Sequence, residues 1–188
     1  AWVSISWLAA KFPNIGLCHH VLGHGYRNPA LIAKMASTLQ VLSGNRYMLG
    51  IGAGWRGDEY RAYGYDFPSN ATRLRQLEEV VQICRLMWTE PHPTFTGEHY
   101  SINDAAATPR PEVPPRVVIG STGEQLGLPL VGRQADMWHH SFQSEEIWKR
   151  KRAIIDESAI AAGRQPSDVE SCVTVVGDPP TNDAESAA

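Results

Sequence analysis

The sequence predicts an α/β protein in which short buried strands alternate with amphipathic helices. Three observations carry this. β-Prone runs recur at 15–22, 47–51, 117–119, 135–140 and 172–176, and the run at 47–51 has no polar partner face, as a strand covered on both sides requires. The segments between them are longer and carry apolar residues at helical spacing with recognisable caps. Alternation of this kind places successive strands parallel, with helices as crossovers. An open doubly wound sheet and a (β/α)8 barrel both satisfy the pattern. About five strands are present, whereas a closed barrel has eight and typically roughly 250 residues. The 188-residue sequence begins in one helix and stops in another. The expectation is a single domain over 1–188 that is part of a (β/α)8 TIM barrel, lacking its first one or two βα units and its last helix.

Taken in order, residues 2–12 read as the end of a helix and 15–22 as a strand. Asn28-Pro29 opens a helix, with Asn as N-cap and Pro at the first helical position. Leu31, Met35, Leu39 and Leu42 mark its apolar positions, and Ser43-Gly44 closes it. Strand 47–51 follows, then a short helix at 58–63. After the Asp66-Phe67-Pro68 break, Asn70 is expected to cap a long helix to about 89. Leu74, Leu77, Val81, Cys84 and Trp88 form its buried face, with Arg75 and Glu79 as a surface pair. Residues 93–103 read as a hairpin around Gly97-Glu98. A Pro-rich connection leads to strand 117–119 and to a helix at 123–134, which Pro129 should kink. Strand 135–140 comes next. Ser144 then starts a helix that ends near Gly163, with Glu145–Lys149 and Glu146–Arg150 as solvated pairs. Strand 172–176 and a helix start at 178–188 complete the order. Trp88 and Trp148 lie on helices and are expected in the core.

Composition is that of an ordinary globular chain, 43% hydrophobic and 20% charged. A net charge of −3 without a basic stripe argues against nucleic acid as a partner. No apolar run approaches the ~20 residues that span a bilayer, and the apolar start lacks the basic leader of a signal peptide. Cys18, Cys84 and Cys172 are odd in number and far apart, which fits neither a disulfide framework nor a zinc site and suits a reducing, cytoplasmic setting.

Chemistry concentrates at 46–55, where the apolar run ends in Gly50-Ile51-Gly52-Ala53-Gly54-Trp55. Glycines at the end of a strand allow a tight turn or a close ligand approach, and ligands of parallel α/β proteins sit at the carboxyl ends of the strands. The competing reading is a packing loop. His19, His20 and His24 invite a metal, but adjacent residues on a strand face opposite ways, and no carboxylate stands near His20 and His24 in sequence. The same objection applies to His139-His140. No metal is expected. His20 is a candidate acid or base, because imidazole titrates near neutral pH, against the alternative of a packed, hydrogen-bonded ring.

The motifs in series resemble the luciferase-like monooxygenase family, most of all its branch dependent on the deazaflavin coenzyme F420. The matching pieces are Tyr26-Arg27-Asn28-Pro29-Ala30, Leu42-Ser43-Gly44-Asn45-Arg46, the 50–55 run and Glu59-Tyr60-Arg61-Ala62-Tyr63-Gly64. They continue with Arg73-Leu74-Arg75-Gln76-Leu77-Glu78-Glu79, with Pro114-Pro115 before Val118-Ile119-Gly120, and with Gly123-Glu124 and Ala135-Asp136-Met137-Trp138. Together they span about 15–140. The resemblance implies a TIM-barrel oxidoreductase that moves hydride between coenzyme F420 and a small organic substrate, with two alternatives: an FMN-dependent monooxygenase and a non-catalytic flavin-binding protein. It implies a non-prolyl cis peptide at His20–Val21 against the ring face, ring or chain contacts at Gly23, Gly52, Ala53 and Gly54, and a phosphate cradle at Gly120, Ser121, Thr122, Gly123 and Glu124. Trp55 would form a pocket wall. It further implies a homodimer at full length. Cys18-His19-His20 and Gly120-Ser121 depart from the family's usual small residues and Gly-Gly. An acidic residue and a His that many members place beside the ring fall in a region this sequence does not contain.

Overall fold

The structure, a computed structural model, describes residues 1–174. Its elements follow the expected alternation. Helix α1 (Trp2–Lys11) precedes a strand in two pieces, β1 (Leu17–Cys18) and β2 (Leu22–Gly23), and a 3-10 turn at His24–Tyr26. Helix α2 (Pro29–Leu42), strand β3 (Tyr47–Gly52), α3 (Gly57–Ala62) and α4 (Asn70–Thr89) come next. The hairpin β4 (Phe95–Thr96) and β5 (Ser101–Ile102) stands apart from the main sheet. Then follow β6 (Arg116–Gly120), α5 (Gly127–Gln134), β7 (Met137–Ser141), α6 (Glu145–Ala161) and β8 (Glu170–Thr174). The main sheet runs β1–β3–β6–β7–β8 with β2 also on β3, and every pairing in it is parallel. With β1 and β2 counted as one interrupted strand, this is a five-stranded half of a TIM barrel, with helices on its outer face. No helix among the described residues is long and apolar enough to cross a membrane.

Helix α2 forms as its caps predict: the Asn28 side chain accepts from the Ala30 N–H at 2.9 Å, Pro29 occupies the first turn, and Gly44 follows the end with φ +67°. Its buried stripe is shifted from the expected one. Ile32, Ala33, Ala36 and Leu39 face the core, whereas Leu31 and Leu42 are exposed. Alanines at the interface let α2 lie close to α4, whose Trp88 indole donates to the Ala33 carbonyl at 2.9 Å. All five residues expected on the buried face of α4 are buried, Cys84 among them.

Several local expectations are corrected. Ser69, not Asn70, caps α4, accepting from Thr72 N–H at 3.1 Å. Glu79 does not pair with Arg75; its carboxylate accepts from the N–H groups of Glu98, His99 and Tyr100 and so holds the hairpin turn, while Arg75 lies 3.7 Å from Glu98. Pro129 causes no kink, because α5 starts at Gly127 rather than 123 and the first turn needs no N–H from that position. Glu145–Lys149 pairs at 2.6 Å, but Arg150 reaches Glu124 at 2.8 Å instead of Glu146. Trp148 is only partly buried against the core. The last strand begins at Glu170, two residues early, and its expected end at 175–176, like the helix start at 178–188, lies outside the described residues.

The amino ends of the strands are tied by charge. Asp136 accepts from Val117 N–H at 2.8 Å and from Arg85 at 3.0 Å, and Arg116 pairs with Glu170 at 2.9 Å. Arg46 donates to the carbonyls of Ala9, Phe12 and Ser43. In barrels of this type that end serves stability and the opposite end serves ligands.

Candidate functional site

At the carboxyl ends of the strands lies a cleft of about 450 Å³, within the usual range for small-molecule sites. Its geometry starts from the interrupted first strand. Cys18 pairs with Met48, and Leu22 with Ile51. Three residues, His19, His20 and Val21, therefore oppose two, Leu49 and Gly50, which makes a bulge. The His20–Val21 peptide is cis. The bulged backbone presses on Gly50, where a Cβ would fall 1.6 Å from the His19 carbonyl oxygen. His19 turns inward: it is 5% exposed, its Nδ1 is 2.9 Å from the Tyr47 hydroxyl, and its ring packs on Trp2. His20 turns the other way and is exposed.

Val21 lies over Gly52 and Gly120, where added Cβ atoms would meet its Cγ2 at 3.0 Å and 3.2 Å. An apolar side chain thus stands at the end of the central strands, with two glycine backbones beneath it. Gly54 adopts φ +77° and turns the chain after β3 over the Tyr60 hydroxyl.

The structure brings most of the expected site residues together. His20, Val21 and Gly23 line the cleft from the first strand, Gly54 and Trp55 from the end of β3, and Gly120, Ser121 and Thr122 from the end of β6. Trp55 is 84% exposed, with Arg56 stacked over its ring at 5.5 Å. Gly52 lies under Val21 rather than on the surface of the cleft. Ala53 turns its carbonyl to Arg73 Nε at 3.1 Å. Gly123 and Glu124 stand outside: the Gly123 carbonyl accepts from Leu128 N–H, and Glu124 binds Arg150.

Other lining residues were not singled out as site residues by the sequence. Tyr26, Glu59 and Tyr60 form one side, and His139, His140 and Ser141 another. The hydroxyls of Tyr26 and Tyr60 and Nε2 of His140 are buried polar atoms with no partner among the described residues. His139 Nε2 lies 3.0 Å from Thr174 Oγ1, and its ring centroid is 3.7 Å from that of His20. Burial lowers the His139 pKa first, and the neighbouring His20 and His140 lower it further. Burial likewise lowers His140. The sequence marked His139-His140 as an adjacent histidine pair on an expected strand, without assigning it to the cleft. Among the described residues, no three His, Cys, Asp or Glu side chains group as a metal site.

Trp138 supports the cleft from below: it is fully buried and its indole donates to the Ser121 carbonyl at 2.8 Å. Ser121 in turn packs on Gly127 at the start of α5, where a Cβ would lie 2.0 Å from its Oγ. The loop 120–122 is thereby held beside the amino end of a helix, a setting that suits an anion.

Comparison with known proteins agrees with the half-barrel fold. The profile of the luciferase-like monooxygenase family matches residues 1–179. An F420-dependent glucose-6-phosphate dehydrogenase of Kineococcus radiotolerans is 38% identical over 137 residues, 72% of this chain and 40% of that protein. The pyrimidine monooxygenase RutA of Acinetobacter baylyi is 32% identical over 111 residues, 57% of this chain and 30% of that protein. A solved F420-dependent secondary alcohol dehydrogenase, in complex with an F420-acetone adduct, superimposes with a TM-score of 0.84 at 22% identity, over 92% of this chain and 53% of its own. The chain spans less than half the length of these two curated relatives and about half of that solved chain. With the half-barrel, the cleft at its strand ends and a family match over nearly its whole length, the chain belongs to the luciferase-like monooxygenase family.

Proposed function

We propose that the cleft holds the deazaflavin coenzyme F420, and that the protein is an oxidoreductase acting between this coenzyme and a small organic substrate. The observation that carries the reading is Val21 seated on Gly52 and Gly120, a fixed apolar surface at the strand ends with unpartnered polar atoms around it. A planar ring with polar edges fits such a site: its face would rest on Val21, and its edge would meet the polar groups that line the same cleft. When bound, the reduced coenzyme supplies the hydride, and the protein supplies position and exclusion of water.

The chain's own residues divide that work. Ser121 and Thr122, with the N–H groups beside α5, would hold the phosphate of the coenzyme. Gly123 and Glu124, which do not line the cleft, are left out of the proposed cradle. Trp55 and Arg56 would cover one side of the ring and keep water from it. Likeness to F420-dependent relatives supports the deazaflavin, and likeness to RutA keeps an FMN-dependent monooxygenase as the second reading.

The test is a titration of this chain with coenzyme F420 and, separately, with FMN, read by tryptophan fluorescence. Trp55 in the wall and Trp138 beneath Ser121 are the reporters. Saturable quenching by F420, with FMN at least about tenfold weaker, is the expected result; a tenfold difference corresponds to about 1.4 kcal/mol. Tighter binding of FMN would favour monooxygenation. Binding of neither would remove both readings.

A further inference from the structure

We propose that His20 is a proton-transfer group of the cleft and that His139, in ring contact with it, positions it. The proposal rests on the redox reading above, because hydride transfer to or from a carbonyl must be matched by a proton. Three observations support it.

The first is contact. The ring centroids of His20 and His139 are 3.7 Å apart at 63°, although β1 and β7 are separated in the sheet by β3 and β6. Curvature of the half-barrel brings them together at the mouth of the cleft, and both line it.

The second is asymmetry. His139 is anchored: Nε2 meets Thr174 Oγ1 at 3.0 Å, and its Nδ1 lies 3.6 Å from where a Gly120 Cβ would sit. His20 is the exposed ring, on the face of its strand opposite to buried His19. The anchored imidazole holds the ring that meets substrate.

The third is electrostatics. Burial lowers the His139 pKa, and the charge of the neighbouring His20 ring lowers it further. The other titratable or charged groups around them are Cys18 from the first strand, His140 from β7, Cys172 from β8 beside His139, and Arg56 and Glu59 across the cleft. Arg56 is already paired with Asp58 at 2.8 Å.

In the reductive direction the reduced deazaflavin, when bound, would supply the hydride for a new C–H bond at the substrate carbonyl carbon. The π electrons of the carbonyl move to oxygen, which takes the proton from the His20 imidazolium. The N–H bond breaks, an O–H bond forms, and the pair is left neutral. In the reverse direction neutral His20 accepts the proton of the alcohol. The substrate class is therefore a carbonyl compound or the matching alcohol.

The experiment is an NMR titration of the histidine ring C–H signals in this chain without cofactor, comparing the native sequence with His20→Gln and His20→Phe. Gln removes the charge and keeps polarity; Phe keeps the ring contact, so one stands if the other misfolds. The His139 midpoint is expected to rise in both variants, toward the ordinary imidazole value. An unchanged midpoint in both overturns the pair. In the full-length enzyme loaded with F420, His20→Gln should flatten the neutral-pH limb of the rate profile while F420 affinity stays within about threefold; an unaltered limb also overturns the proposal. Failure of the redox reading shows separately, as absence of F420 binding in the fluorescence titration with the His20–His139 coupling intact.

Discussion

Gly50→Ala should destabilise the chain by about 3 kcal/mol or more and abolish the cleft, the largest effect expected of any methyl group added to it. The added Cβ would lie 1.6 Å from the His19 carbonyl oxygen and 3.1 Å from Cys18 Sγ. The first of these is backbone, so no side-chain rotation relieves it. Gly50 is buried within β3, paired to Val118 of β6 on one side and facing the bulge on the other. Relief would require the 19–21 bulge to lift away, which would displace both His20 and Val21. Urea unfolding and F420 binding measured on one preparation would show both losses. Gly44→Ala is the control, since its Cβ would meet nothing within 4 Å and only the left-handed φ of +67° is penalised; that penalty is about 1 kcal/mol.

Acidification should weaken the fold between about pH 6.5 and pH 4. Burial pushes the pKa of His19 and of His24 down to about 4. His24 is 1% exposed, and the nearby Arg73 guanidinium adds to the lowering. In this window the unfolded chain protonates both rings and the folded chain does not. The unfolded state therefore binds more protons, and stability falls as pH falls, then levels below about 4. The total is on the order of several kcal/mol for two such groups. Denaturant midpoints at pH 7.5, 6, 5 and 4 would trace the slope. In His24→Leu the slope should be clearly shallower, because one of the buried bases is gone. An identical slope in that variant would place the acid sensitivity elsewhere.

Much of this architecture was legible in the sequence because it rests on local rules. Asn28-Pro29 and Ser43-Gly44 bracket α2 through caps that depend on a few neighbouring residues, and the 47–51 run could only be a buried strand. The α4 stripe from Leu74 to Trp88 followed from helical spacing alone. What was missed depends on partners far along the chain. Ser69 and Asn70 are both good caps; Ser69 takes the Thr72 N–H, while the Asn70 Oδ1 accepts from Arg73 at 3.4 Å. Glu79 is drawn from Arg75 to the hairpin because three bare N–H groups at 98–100 outcompete one exposed guanidinium. Leu31 and Leu42 lost the interface to Ile32, Ala33 and Ala36 because close helix packing rewards small residues.

The site divides in the same way. The glycine run at 50–54 was recognisable as special, but its division of labour was not. Gly50 makes room for a bulge, Gly52 supports Val21, and Gly54 makes the turn; that requires the register of β1 and β2 on β3. The approach of His139 to His20 is further still from local sequence, since two strands lie between them and barrel curvature alone closes the gap. Pairing register and curvature are properties of the assembled sheet, which periodicity in one segment does not encode.

The most direct test of the central claim is hydrogen–deuterium exchange on this chain with and without saturating coenzyme F420. The account predicts protection at 20–23, 52–56, 120–122 and 139–141, the segments that meet at the strand ends, and no change at the charged amino end around Asp136 and Glu170. Protection confined to other segments, or none at a coenzyme concentration that quenches tryptophan fluorescence, would contradict it.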